Sequence, residues 1–202
     1  MEAFEHVVKV HLEVQGYVVT TNVKFPVRRK TLKAAREEHQ THGYEVDIVA
    51  AKGNELILGS VKSYLDSKGV NRQCFEGIAD SHRKNDFGGY KIFNDEELRQ
   101  KILEKAGERC GYAPGQIRVV LYVGKFKRGD EEIVRQHLGG IEAGAGPIQV
   151  VNLEEIVRGL IEASESTTYV NDPVVMTIKA LQKAGYLREP ARRESTEAGE
   201  KL

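Results

Sequence analysis

The sequence predicts an α/β fold with a mixed central β-sheet flanked by helices. Two observations carry this. Runs rich in β-branched and aromatic residues recur at strand length over 17–25, 44–51, 55–64 and 117–126. Helix-length segments with apolar residues three and four apart separate them, so that the second half reads strand, helix, strand, helix. The 202 residues, 40% of them hydrophobic, suffice for a substantial core. One domain over residues 1–190 is expected, followed by a disordered tail at 191–202 whose charged and small residues show no apolar period.

Each element follows from local chemistry. Over residues 2–15, Phe4, Val7, Val8, His11, Leu12 and Gln15 share one helical stripe, which Gly16 terminates. The strand 17–25 comes next, its continuation limited by Pro26. A basic stretch over 27–43 carries Arg28, Arg29, Lys30, Lys33 and Arg36 against Glu37 and Glu38. Strands 44–51 and 55–64, joined by the turn Lys52-Gly53-Asn54, form the central hairpin. A helix is expected from Arg72 to Arg83, with Phe75, Ile78 and Ala79 apolar, and a longer one capped by Asp95 and running to about Glu108 before Gly111 and Pro114. Residues 117–126 are a strand, 131–138 a short helix, 139–147 a glycine-rich loop, 148–151 a strand and 153–163 a helix. Asn171-Asp172-Pro173 opens a last helix through Leu187.

Composition narrows the function classes. Lys plus Arg and Asp plus Glu are 30 each, so no global charge draws the chain to nucleic acid, and only the basic stretch is polarised. Cys74 and Cys110 make neither a CxxC pair nor a disulfide framework. His39 and His42 lack the partners of a zinc motif, and the glycines of 139–147 lack the lysine and hydroxyl residue of a phosphate loop. A membrane span needs about 20 apolar residues. Neither such a run nor an export signal is seen, and a cytoplasmic protein is expected.

The residues that invite chemistry lie on the central hairpin. Strand alternation predicts that Glu45 and Asp47 project to one face, with Ser60 and Lys62 together on the adjacent strand. Asp47 offers a hard oxygen ligand for a metal, and Lys62 a compact cation beside an attacking water or a phosphate.

Tyr44-Glu45-Val46-Asp47-Ile48-Val49 followed by Leu58-Gly59-Ser60-Val61-Lys62 resembles the active-site hairpin of the PD-(D/E)XK nuclease superfamily. The resemblance covers roughly residues 1–80 and implies a restriction-endonuclease-like fold, with Mg²⁺ or Mn²⁺ as cofactor and DNA as partner. Members usually carry an acid two positions before the lysine, where this chain has Ser60. A branch among the restriction endonucleases has a similar Ser-Val-Lys strand with the second acid moved to the following helix. That implies a ligand role for Glu76, fourteen positions after Lys62. Similarity to Holliday-junction resolvases and Mrr-type enzymes implies a first-helix glutamate, Glu5 or alternatively Glu2. A homodimer is implied where both strands of a duplex are cut.

The implied site is then Asp47, Glu76 and Glu5 as metal ligands and Lys62 as the cation, with Glu45 and Ser60 nearby. Arg28, Arg29, Lys30, Lys33, Arg36 and Arg72 would grip phosphates, and Arg83 and Lys84 would extend the track. Two other readings stay open. Ser60 fits a catalytically inactive DNA-binding module. A structural or interaction protein would instead make Asp47 and Lys62 a surface salt bridge worth ~0–1 kcal/mol.

Overall fold

The computed structural model, which describes residues 2–30, 39–78, 84–165 and 170–187, contains one five-stranded sheet. Its strands are β1 (Val18–Lys30), β2 (His39–Lys52), β3 (Glu55–Lys62), β4 (Ile117–Val123) and β5 (Gln149–Asn152), side by side in chain order. The pairs β1·β2 and β2·β3 are antiparallel, whereas β3·β4 and β4·β5 are parallel. Parallel neighbours need crossover connections. The first contains the short helix α2 (Lys91–Asn94) and α3 (Glu96–Cys110), and the second contains α4 (Glu131–Gly139). With α1 (Ala3–Val14), α5 (Leu153–Ser164) and α6 (Pro173–Lys183), helices cover both faces, and the fold is the expected α/β mixed sheet with flanking helices. No described helix is long and apolar enough to cross a membrane.

Covering both faces makes two cores. Leu56, Leu58, Val119 and Leu121 pack with Leu98, Ile102 and Ala106 of α3 and with Val134 of α4. Ile57, Val61, Val120 and Tyr122 pack on the other side with Phe4, Val8 and Leu12 of α1, Ile156 and Leu160 of α5 and Val175 of α6. Strands buried on both faces lose polar alternation, which is why 117–123 reads as an almost unbroken apolar run.

Helix ends follow sequence chemistry. Gly16 after α1 has φ +90°, as a terminating glycine should. The Asp95 Oδ1 accepts from the Leu98 N–H at 2.9 Å, and Asp172 caps α6 by accepting from the Val174 N–H at 2.8 Å. The last helix ends at Lys183 rather than Leu187, and the strand beginning at Ile117 closes at Val123 rather than Phe126.

Three expectations are corrected. First, β1 passes through Pro26 to Lys30 and pairs with β2 out to Lys30↔His39, so much of the basic stretch 27–43 is hairpin. Pro26 is tolerated because β1 is an edge strand. The carbonyls of Lys24 and Arg28, at the same parity as Pro26, accept from Arg109 and Lys101 of α3 at 3.2 and 3.1 Å, so the ring nitrogen lies on the outward row where the ladder needs no donor.

Second, the helix expected over 72–83 is a single 3₁₀ turn, Arg72–Cys74, followed by a turn through Ile78, and residues 79–83 lie outside the described residues. Fully buried Phe75 sets this segment, its ring meeting Tyr90 at 5.0 Å and Phe93 at 6.3 Å between centroids. Tertiary aromatic contacts override the helical spacing here. Third, β3 ends at Lys62, and Tyr64 turns the chain at φ 44° instead of continuing the strand. The tail at 191–202 lies outside the described residues.

Candidate active site

The sheet forks at Asp47. Below it β2 pairs with β3 from Lys52↔Glu55 to Ile48↔Gly59, and beyond it β2 pairs only with β1, out to His39. Even-numbered Tyr44 and Val46 belong to the core against α3, whereas even-numbered Ile48 and Ala50 belong to the core against α1. The strand thus exchanges its two faces at Asp47, opposite Asn22 of β1, which has φ 55°. Alternation carried across this point fails: Glu45 and Asp47 do not share a face. Glu45 is exposed, accepting from Asn22 Nδ2 at 3.3 Å and pairing with Lys24 at 3.5 Å.

Where β2 leaves β3, the Val61 N–H loses its strand partner, and an unpaired backbone donor is costly. The Asp47 side chain replaces it: Oδ2 accepts from Val61 N–H at 2.7 Å and from Ser60 Oγ at 3.1 Å. Both bonds fall on Oδ2, so that among the described residues Oδ1 is the open oxygen of a half-buried carboxylate whose orientation is fixed. The Asp47 charge is felt at Tyr44. Burial foremost, with Asp47 and Asp95 adding and a backbone hydrogen bond at Ile92 opposing, pushes the Tyr44 phenol up to about 12.

Lys62 ends β3 on the same face as Ser60. It does not form the surface salt bridge with Asp47 that an interaction protein would show; its Nζ lies over the Tyr90 ring, 5.6 Å from the centroid. Gly124 fixes the backbone there, donating to the Lys62 carbonyl at 2.9 Å. A Cβ on Gly124 would stand 2.3 Å from the Ser63 carbonyl oxygen, so only glycine permits this approach.

The other predicted ligands are not drawn into one cage. Glu5 lies on α1, packed against the opposite core, and its Oε2 accepts from the Glu2 N–H at 3.0 Å in a capping box. Glu76 is exposed in the turn after the 3₁₀ segment rather than on a helix, and Asn94 pins that turn by accepting from the Glu76 N–H at 3.1 Å and donating to the Cys74 carbonyl at 2.9 Å. Glu76 faces a cleft of about 550 Å³ with Asn94, Arg99 and His137. Among the described residues no three His, Cys, Asp or Glu side chains come together as a metal site. What fits a hard cation is the open oxygen of Asp47, because magnesium sites often use one or two carboxylates and take remaining ligands from water and substrate phosphate.

Of the basic residues, Arg28 is exposed near the end of the β1·β2 arm, and Arg29 and Lys30 pair there with Gln40 and His39. Lys33, Arg36 and Arg83 lie outside the described residues. Arg72 is exposed elsewhere, its backbone N–H donating to Asp130 at 3.1 Å. Sequence reasoning missed Tyr90, twenty-eight positions from the lysine it supports, because no local spacing announces such a contact. Tyr64, two residues past Lys62, was visible only as a strand residue.

No protein-family profile and no curated protein sequence matches the chain. Among solved structures it is similar to the crystal structure of a protein of unknown function, AF1548, with 16% identity over 91% of this chain and 77% of that one and a TM-score of 0.35. A likeness at that level brings no functional assignment with it.

Proposed function

We propose that this chain is a metal-dependent deoxyribonuclease of restriction-endonuclease-like architecture, hydrolysing a phosphodiester at Asp47 and Lys62. The observation that carries the reading is the fork in the sheet. It opens the hairpin where a fixed carboxylate with one free oxygen stands a strand away from a lysine seated on an aromatic ring. A salt bridge would neutralise both groups, whereas this arrangement leaves each directed at something outside the pair.

Mg²⁺ or Mn²⁺, when bound at Asp47 Oδ1, would supply Lewis-acid stabilisation of the charge on the phosphate. The Val61 N–H and Ser60 Oγ hold the Asp47 carboxylate in one orientation, so no reorganisation is needed as substrate arrives. Lys62 places its ammonium against a phosphate oxygen and the entering water, and the Tyr90 ring restricts where that ammonium can go. Hydrolysis adds water across the P–O bond, leaving a phosphate and a hydroxyl end. Glu76 is the chain's own candidate for a second ligand, and the arm with Arg28, Arg29 and Lys30 the candidate backbone grip. Cutting both strands of a duplex would call for a second copy of the chain.

Ser60 favours a second reading, a DNA-binding module without catalysis, since its hydroxyl bonds Asp47 where a metal-binding acid would otherwise stand. One experiment separates the two: incubation with supercoiled plasmid and short duplex and single-stranded DNA in Mg²⁺, Mn²⁺ or EDTA, beside Asp47→Ala, Lys62→Ala and Glu76→Ala. Metal-dependent cleavage lost in Asp47→Ala and Lys62→Ala is expected. Retention of activity in Glu76→Ala would remove that residue from the site, and salt-sensitive binding without any product would establish the silent module.

A further inference from the structure

Immediately past Lys62 the backbone enters a conformation that L residues avoid. Tyr64 has φ 44°, and such strain in a bulky residue persists where surrounding structure or function holds it. Its side chain is nevertheless 40% exposed, an aromatic ring held in the open. Tyr90 stands beside it, only 2% exposed, with its hydroxyl sealed from solvent beside Tyr64 and Cys74. Burial foremost, with Cys74 and Tyr64 close enough to hydrogen-bond it, pushes that phenol upward, so the hydroxyl keeps its proton. The two tyrosines, with Ser67, Lys68, Asn71 and Cys74, line a cleft of about 470 Å³. Through Tyr90 this cleft adjoins Lys62.

We propose that the cleft is a subsite for one unpaired nucleobase next to the phosphate that Lys62 faces, making the substrate a nucleic acid with a single-stranded or unstacked nucleotide at that point. The inference rests on the nuclease reading for the role of Lys62, and it adds the class of substrate. Every base presents a π-face, so an exposed tyrosine offers a platform without sequence preference. Lys68 supplies a cation at the rim for the neighbouring phosphate, and Ser67 and Asn71 bring further polar groups to the same walls. A base stacked and paired in a duplex cannot enter without being extruded, which costs free energy that an unpaired base does not pay.

The test measures binding separately from cleavage. Single-stranded and duplex oligonucleotides carrying 2-aminopurine are titrated with the full-length protein in EDTA, beside Tyr64→Leu and Tyr64→Phe. A saturable fluorescence change is expected with the single strand. Tyr64→Leu should weaken single-strand binding by about tenfold, while Tyr64→Phe keeps it and duplex binding stays unchanged. Unchanged single-strand affinity in Tyr64→Leu, equal weakening on duplex, or no single-strand binding at all would overturn the subsite. Failure of the nuclease reading looks different: no metal-dependent product from any DNA, with the Tyr64-dependent fluorescence change still present.

Discussion

The two halves of β2 are built from similar residues yet serve different ends. Ile48–Ala51 is paired on both sides, between two cores, with Ile48 and Ala50 fully buried. His39–Val46 is paired on one side only and holds its place through β1, whose Val23, Phe25 and Val27 pack into the core against α3. The closed half is a structural platform held in register by a strand on either side. At the boundary one partner is missing, and the side chain that replaces it is the candidate ligand. A carboxylate that satisfies a backbone donor with one oxygen is positioned by the fold at no further entropic cost, which is the preorganisation a hydrolytic site needs.

The largest expected effect breaks the comparison at the fork. Lys62→Ala should lower metal-dependent cleavage by about a thousandfold. Its thermal midpoint should stay close to that of the parent chain, because Lys62 makes no ion pair among the described residues; a variant that unfolds would place Lys62 with the platform instead. Next comes the closed half. Leu58→Ala removes a fully buried side chain one residue inside the last β2·β3 pair and should cost about 2–5 kcal/mol in urea unfolding. A loss well under 1 kcal/mol would show that the platform is not tightly packed.

Ser60→Ala sharpens the boundary. It deletes one of the two donors on Asp47 Oδ2 and keeps the Val61 N–H, so it should cost about 1 kcal/mol of transition-state stabilisation, read as a several-fold fall in kcat/KM. A loss as deep as that of Lys62→Ala would make the hydroxyl a direct participant. The smallest effect concerns pH. Burial lowers the His11 pKa below 6.5, with the Ile156 backbone and Glu155 opposing. The unfolded chain therefore takes up that proton first as pH falls, and the stability tied to neutral His11 is present above pH 6.5 and lost below it. Urea midpoints between about pH 5 and 8 should fall toward acid, and fall less in His11→Gln.

How much of this was legible in the sequence follows from the same contrast. The closed half was readable, since Val46 to Ala51 and Leu56 to Val61 carry the β-branched and apolar residues that two-sided burial demands. Asp47 and Lys62 stood out as candidates because a charge in such an apolar run calls for a reason. The face exchange was not, because it depends on where β2 parts from β3, and Val46-Asp47-Ile48 contains no glycine or proline to mark it. Glu76 was misplaced for a related reason: Phe75 is held by Tyr90 and Phe93 from far along the chain, and a helical spacing cannot report such contacts. The passage of β1 through Pro26 was hidden until the strand was known to lie at the sheet's edge.

That edge has a consequence for how the protein meets other chains. A strand of thirteen residues at a sheet margin is a template on which a foreign strand can add, the first step of many aggregates. Here Pro26 removes a donor from the outward row, and Arg109 and Lys101 of α3 take the carbonyls of Lys24 and Arg28 on either side of it. The margin is thereby closed to strand addition over its outer half, and the arm meets its surroundings through side chains, with Lys24 and Arg28 exposed along it.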